Sequence, residues 1–196
     1  GSVTSVRFSP FGDRLASSSA DKTVKLWKLN QGSPTLEAIL RGHRGVVLAI
    51  AFAPDQKSLA TIGWDKVIKF WQLPSAEQAE ITSKASQPVK SLIWSGAFSP
   101  DGTLLATGDA DGQLQLWSRD GTLKKTIHKH RAAVRSVAWS PDGNWIVTGS
   151  VDETIKLWHR DGTLVRTLNG HDAIVSAVAF NSDGTLIASG SDDTTV

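Results

Sequence analysis

Three sets of residues in this chain join a histidine to a hydroxyl and a carboxylate: His43 with Thr61 and Asp65, His130 with Thr148 and Asp152, and His171 with Ser189 and Asp193. A histidine held by an acid can accept the proton of a hydroxyl nucleophile, which is the chemistry of acyl-transfer enzymes. The set recurs along the chain, however, whereas an enzyme needs one site. Other chemistry is poorly represented. There is no phosphate-cradling glycine loop, no dinucleotide fingerprint and no H-E-x-x-H. The run His128-Lys129-His130-Arg131 looks like a metal or anion site, but His130 already belongs to a recurring set, so solvated surface is the better reading. His159 precedes a turn and is expected to be exposed. Ser-Pro pairs begin at Ser9, Ser33, Ser99 and Ser140, and three of the four are one repeating turn, so structure explains them better than phosphorylation. No N-x-S/T sequon occurs. No cofactor and no metal are expected.

The elements that would position these residues repeat. Tryptophans stand at 27, 71, 117 and 158, with spacings of 44, 46 and 41. Aspartates stand at 21, 65, 111, 152 and 193, and each of the first four precedes its tryptophan by six residues. A period of this length, with several short strands per unit, is the signature of a propeller blade. First strands are predicted at Val3–Ser9, Val47–Ala53, Val89–Ser95, Val134–Ser140 and Val175–Asn181. Most end in Pro- or Asp-Gly-bearing turns, such as Ser99-Pro100-Asp101-Gly102, which supply the dihedrals of tight hairpins. Second strands follow near 14–18, 58–62, 104–108, 145–149 and 185–190, and third strands end at the tryptophans. Outer strands are predicted at Thr35–Leu40, Gln78–Ser83, Thr122–Ile127 and Thr163–Leu168.

Alternate residues of the first strands are small on one side (Val47, Ala49, Ala51) and large on the other (Leu48, Ile50, Phe52), and neither side is polar. A half-exposed strand would alternate apolar with polar. Sheets stacked face to face, the large side of one filling the small side of the next, need this pattern.

At these residues the chain resembles the WD-repeat β-propeller family over essentially all of its 196 residues. Gly42-His43, Thr61, Asp65 and Trp71 form a complete motif, and Lys129-His130, Thr148, Asp152 and Trp158 nearly another. Gly170-His171, Ser189 and Asp193 begin a fifth. The first unit has Ser17, Asp21 and Trp27. The third has Thr107, Asp111 and Trp117, but offers Ala85 in place of histidine and carries an excess at Gly96–Ser99, read as a bulge or longer turn. In the family these His, Ser/Thr, Asp and Trp side chains form a buried hydrogen-bond network within a blade, in which the indole N–H finds its acceptor. The resemblance implies an all-β propeller of four-stranded antiparallel blades, four complete and a fifth partial. It also implies one repeat domain over 1–196, with units near 1–29, 36–73, 79–118, 123–159 and 164–196. Such a chain is expected to be part of a larger ring (seven blades being commonest in the family), an ordered remainder of a longer chain, or one of several copies that complete each other through open strand edges.

The functional class implied is a non-catalytic scaffold that binds a protein or peptide. The family uses the face formed by the turns between second and third strands. The residues before the repeat aspartates point there, and Trp64 stands out among Ala20, Ala110, Val151 and Asp192. Arg44, Lys66, Lys90 and Arg135 are expected near it, forming an aromatic and basic patch for an acidic surface. Lys and Arg number 21 against 19 Asp and Glu, an excess that predicts neither nucleic-acid nor membrane binding. No stretch is long and apolar enough for a membrane helix. Cysteine is absent, which fits a reducing, cytoplasmic setting. Methionine is absent even at position 1, so the chain is expected to be excised from something longer, with Gly1-Ser2 a cleavage scar or a native start. The Arg-Asp-Gly-Thr turns at Arg119–Thr122 and Arg160–Thr163 resemble those of bacterial multidomain signalling proteins, which points to a bacterial source.

Overall fold

The computed structural model describes residues 1–29, 33–73 and 81–196, and every regular element among them is a β-strand. The chain divides into two compact units, 1–90 and 91–196.

The first unit holds two antiparallel sheets. One is β1 (Val3–Phe8), β2 (Arg14–Ser19), β3 (Val24–Lys28) and β4 (Thr35–Leu40). The other is β5 (Val47–Phe52), β6 (Ser58–Gly63), β7 (Val67–Gln72) and β8 (Thr82–Pro88), and both run in simple sequence order. The second unit continues with β9 (Ile93–Phe98), β10 (Leu104–Asp109), β11 (Gln113–Ser118) and β12 (Leu123–His128), then β13 (Val134–Trp139), β14 (Trp145–Ser150), β15 (Ile155–His159) and β16 (Leu164–Leu168). A two-stranded sheet of β17 (Val175–Phe180) and β18 (Ile187–Ser191) follows. Four four-stranded blades and a partial fifth are thus present.

The side chains that alternate along the first strands meet between sheets. In the first unit Ala16, Val24 and Leu26 pack with Val47, Ile50 and Leu59 in one cluster. In the second, Ala106, Leu114 and Leu116 pack with Val134, Val137 and Trp139, and Val147 and Ile155 with Val175 and Val178. Each sheet between two others must be apolar on both sides, and apolar burial is the main favourable term in such stacking.

The third blade departs from expectation in register. Its first strand is β9 at Ile93–Phe98, not Val89–Ser95, and the excess does not lie at Gly96–Ser99. Gly96 and Ala97 pair in register with Thr107 and Ala106. The turn that follows explains the shift. Ser99 Oγ donates to Asp101 at 2.6 Å, the Leu104 N–H donates to Ser99 Oγ at 3.0 Å, and Gly102 N–H donates to the Ser99 carbonyl at 2.8 Å. These bonds fix the strand end at Phe98, as equivalent bonds at Ser140 do for Trp139. The buried Ser9, Ser99 and Ser140 hydroxyls therefore serve the turns. Extra chain is taken up before β9 instead. The outer strand placed at Gln78–Ser83 is β8 at Thr82–Pro88, and positions 78–80 of that expectation lie outside the described residues. Ala85 lies within β8 opposite Phe70. Each histidine precedes its aspartate by 22 residues, and 22 before Asp111 is Val89.

A bulge does occur, but at the start of every first strand: the register shifts across Thr4, Leu48, Trp94, Arg135 and Ser176. Bulges re-aim side chains, and here they turn the residue at that position out of the ladder.

The turn after each second strand places the residue following the repeat aspartate in the left-handed region: Lys22, Lys66, Gly112, Glu153 and Thr194. Only position 112 requires glycine, because a Cβ there would lie 2.6 Å from the His130 carbonyl oxygen and 2.9 Å from that of Ala132.

Candidate functional site

The polar sets are built inside single sheets. Thr61 is central in β6, Asp65 sits in the β6–β7 turn, Trp71 is the penultimate residue of β7, and His43 precedes β5. His43 Nδ1 faces both Asp65 carboxylate oxygens at 3.0 Å, and its Nε2 lies 2.8 Å from Thr61 Oγ1. The Trp71 indole N–H donates to Thr61 Oγ1 at 2.9 Å, and the Arg44 N–H donates to Asp65 at 2.7 Å. In the fourth blade His130 lies 2.9 Å from Asp152 and 2.7 Å from Thr148 Oγ1, which accepts from Trp158 at 2.9 Å. The fifth blade has His171 2.7 Å from Asp193 and 2.8 Å from Ser189.

One proton assignment satisfies every group. Trp donates to Thr, Thr donates to His Nε2, and His Nδ1–H donates to the carboxylate. The order of contacts is that of a catalytic triad, but Thr61 and Thr148 are fully buried, and an indole occupies the hydroxyl that would attack. Burial is the largest influence on His43 and His130 and pushes both below their ordinary value of 6.5, despite the adjacent carboxylates. Asp152, held by the Thr154 hydroxyl, the Arg131 N–H and His130 against its own burial, is lowered to about 2.

The third blade has no histidine at the network position, where Val89 stands instead, and Thr107 accepts only from Trp117, at 2.9 Å. Asp109 supplies a substitute cap. Its Oδ1 accepts from the N–H groups of Asp111 and Gln113 at 3.0 and 2.9 Å, while its buried Oδ2 has no partner. Burial raises its pKa above the usual 3.8. Asp109 occupies the position of Gly63 in the second blade, where a Cβ would come within 2.5 Å of His43 Nδ1. The fourth and fifth blades carry Ser150 and Ser191 at this position beside their histidines, and each serine hydroxyl accepts the N–H of its repeat aspartate, as Asp109 does for Asp111.

Four of the five proposed binding residues meet at one turn of the first unit. Trp64 stands on the β6–β7 turn with 55% of its surface exposed, its N–H donating to the Val46 carbonyl at 2.8 Å. Lys66, next to the same Asp65, reaches the Lys90 carbonyl with its ammonium at 3.2 Å. Arg44, Lys66 and Lys90 are all exposed. Arg135 belongs to the second unit, and its guanidinium lies 4.2 Å from the ring centre of Trp94. Both are the bulged residues of their strands, which is how they come to stack. Trp94, whose indole N–H is buried without a partner, was not evident from spacing. The charged run at 128–131 separates: His130 is buried in its network, whereas His128, Lys129 and Arg131 are exposed. His159 is exposed and rests edge-on against Trp145 at 5.6 Å.

A family model described as the first β-propeller of IFT122 matches residues 1–162, and one described as WD domain, G-beta repeat, matches residues 162–196. The chain is 28% identical over 134 residues to the WD40 repeat-containing protein HOS15 of Arabidopsis thaliana, which covers 68% of this chain and 17% of that protein. It is 28% identical to the F-box-like/WD repeat-containing protein TBL1X of Mus musculus, over 65% of this chain and 18% of that protein. It is 27% identical to the WD repeat-containing protein 26 homolog of Drosophila melanogaster, over 60% and 19% respectively. The matched segment thus spans less than a fifth of each relative.

Proposed function

We infer, from the premise that the chain belongs to the WD-repeat β-propeller family, that it is a non-catalytic docking module whose Trp64 turn binds an acidic protein segment. Propellers of this family generally bind proteins or peptides. The observation that carries the finer reading is Trp64 itself. A tight turn has no need of an indole, and the one here is left mostly in solvent. Exposed aromatics beside cations are the usual energetic centres of interfaces. Lys66 shares the turn, Arg44 is tied to it through its N–H on Asp65, the Lys90 carbonyl accepts from Lys66, and the Asp65 carboxylate is already engaged by His43 and the Arg44 N–H. The turn therefore presents an apolar plate with a positive rim, which suits an extended segment with acidic residues flanking a hydrophobic one.

Selection of a random peptide library on the chain tests this. Recovered peptides should be acidic, and Trp64→Ala should weaken them by roughly 30-fold, as truncation of an interface anchor does. Binders that retain full affinity for both Trp64→Ala and Arg44→Ala would remove this turn from the binding surface.

A further inference from the structure

The fourth blade, in the other unit, carries a second charged feature. A pocket of about 310 Å³ is lined by Lys129, Arg131, Thr154, Lys156, Thr167 and Asn169, with Asp152 in its wall. Three cations from two segments converge there: Lys129 and Arg131 flank the buried His130, and Lys156 is the second residue of β15.

Lys156 is the informative member. It is 8% exposed, and its ammonium has one hydrogen bond, to the neutral Thr167 Oγ1 at 2.9 Å. No carboxylate pairs with Lys129, Arg131 or Lys156 among the described residues. A buried ammonium normally finds an anion, because its desolvation is otherwise poorly offset. Asp152 does not fill this role. Its oxygens already accept from His130 Nδ1, the Arg131 N–H, the Thr154 N–H and the Thr154 hydroxyl. With His130 neutral and Asp152 ionised, the wall has three positive charges and one negative.

The other blades show that this is not simply what a repeat lysine does. The position of Lys156 is Lys69 in the second blade and Gln115 in the third, as pairing with Thr61 and Thr107 shows. Lys69 also reaches a hydroxyl, Ser86 at 3.3 Å, but is more exposed, and the residue in place of Lys129 is Gly42. Among the described residues, only the fourth blade combines a buried lysine with two further cations and with the Thr154 and Thr167 hydroxyls.

We propose that this pocket of the fourth blade binds a phosphate group, with Lys129, Arg131 and Lys156 as its charge partners and Thr167 and Asn169 completing the hydrogen bonds. A wall with a surplus of two positive charges matches a dianion. Donors on several sides suit a tetrahedral oxyanion better than a planar carboxylate. The phosphate can come free from solution or on a phosphorylated side chain, which the chemistry of the pocket treats alike.

The test is titration of the intact chain with inorganic phosphate by calorimetry, at fixed ionic strength and with chloride as the control anion, alongside the capped tripeptide Ala-phosphothreonine-Ala. Saturable phosphate binding is expected, and Lys156→Gln, Arg131→Gln and Lys129→Gln should each weaken it by about tenfold or more, the usual loss for a charged hydrogen-bond partner. Lys156→Gln installs the residue type already present at Gln115, and the other two changes are on exposed residues, so folding is preserved in at least two of the three. Trp64→Ala should leave phosphate binding unchanged. Tighter binding of the phosphopeptide assigns the ligand to a phosphorylated chain, and tighter binding of inorganic phosphate assigns it to the free ion. Absence of saturable binding by both, or equal affinity in wild type and all three variants, overturns the proposal.

Discussion

Replacing Thr148 with valine removes one hydroxyl and almost nothing else, since the two side chains have the same shape. In the wild type that oxygen accepts the Trp158 indole N–H at 2.9 Å and bonds His130 Nε2 at 2.7 Å, with no exposed surface. Thr148→Val leaves two buried polar groups without partners. Each such group costs about 1–3 kcal/mol, so the loss should be about 2–6 kcal/mol. Thr107→Val in the third blade is the matched control. The same substitution, equally buried and in the same compact unit, orphans only the Trp117 indole, because no histidine bonds Thr107, and should cost about 1–3 kcal/mol. Urea unfolding followed by tryptophan fluorescence reads both on the same transition, and thermal midpoints should fall by ~2–4 °C per kcal/mol. Thr148→Val should be about twice as costly as Thr107→Val. Equal costs would mean that the histidine arm contributes nothing to stability, and the account of the network as a stabilising chain would be wrong.

Acid should weaken the fold as the buried histidines are forced to take up protons. His43 and His130 have pKa values depressed by burial, so their contribution is complete above the unfolded value of 6.5 and is lost as pH falls below it. Urea midpoints measured from pH 7.5 to 5 should decline, with a limiting slope of ~1.4 kcal/mol per pH unit for each histidine, and a flat profile would contradict the burial argument. Asp109→Ser, which installs the residue found at positions 19, 150 and 191, removes a buried carboxylate with an unpartnered oxygen. It should raise the urea midpoint at pH 7 by about 1 kcal/mol equivalent, and a large loss would show that the second N–H cap at Gln113 outweighs the buried charge. Gly112→Ala should cost about 2 kcal/mol, from left-handed strain together with the close carbonyl approach. Lys22→Gly, at the same turn position, should leave the thermal midpoint nearly unchanged.

The fold was readable because its strongest signals are local. Ser-Pro-Asp-Gly turns and the six-residue step from Asp to Trp each lie within one hairpin, and the alternation of small and large residues in a strand states directly that both faces are covered. The third blade is harder to place for the opposite reason. Val89 followed by Lys90 and Ser91 looks like another strand start, and only the bonds around Ser99 anchor the true register at Ile93. Asp109 as a substitute cap was invisible, because an aspartate at a strand end carries no mark of what it accepts. The Trp64 cluster was partly legible, since a bulky residue in a tight turn is anomalous on sight. Arg135 was placed with it by position in the repeat, whereas the bulge that stacks it on Trp94 is a property of strand pairing. The phosphate pocket draws Lys129, Lys156 and Thr167 from segments whose proximity depends on the register of β15 against β16.

Each histidine network closes within its own blade and takes no partner from the sheet beside it; what joins neighbouring sheets is apolar packing with a few separate bonds, such as Val137 N–H to Ser95 Oγ at 3.2 Å and the Trp139 indole N–H to the Ala97 carbonyl at 3.0 Å. The third blade shows what this privacy permits: it lacks the histidine, Asp109 caps the turn by other means, and the packing of Ala106, Leu114 and Leu116 against β13 persists. Sequence drift in such an array can be repaired one blade at a time. A damaged unit need only recover its own internal bonding while its neighbours hold their positions, so a blade's exposed turns are free to acquire new ligands at little risk to the rest.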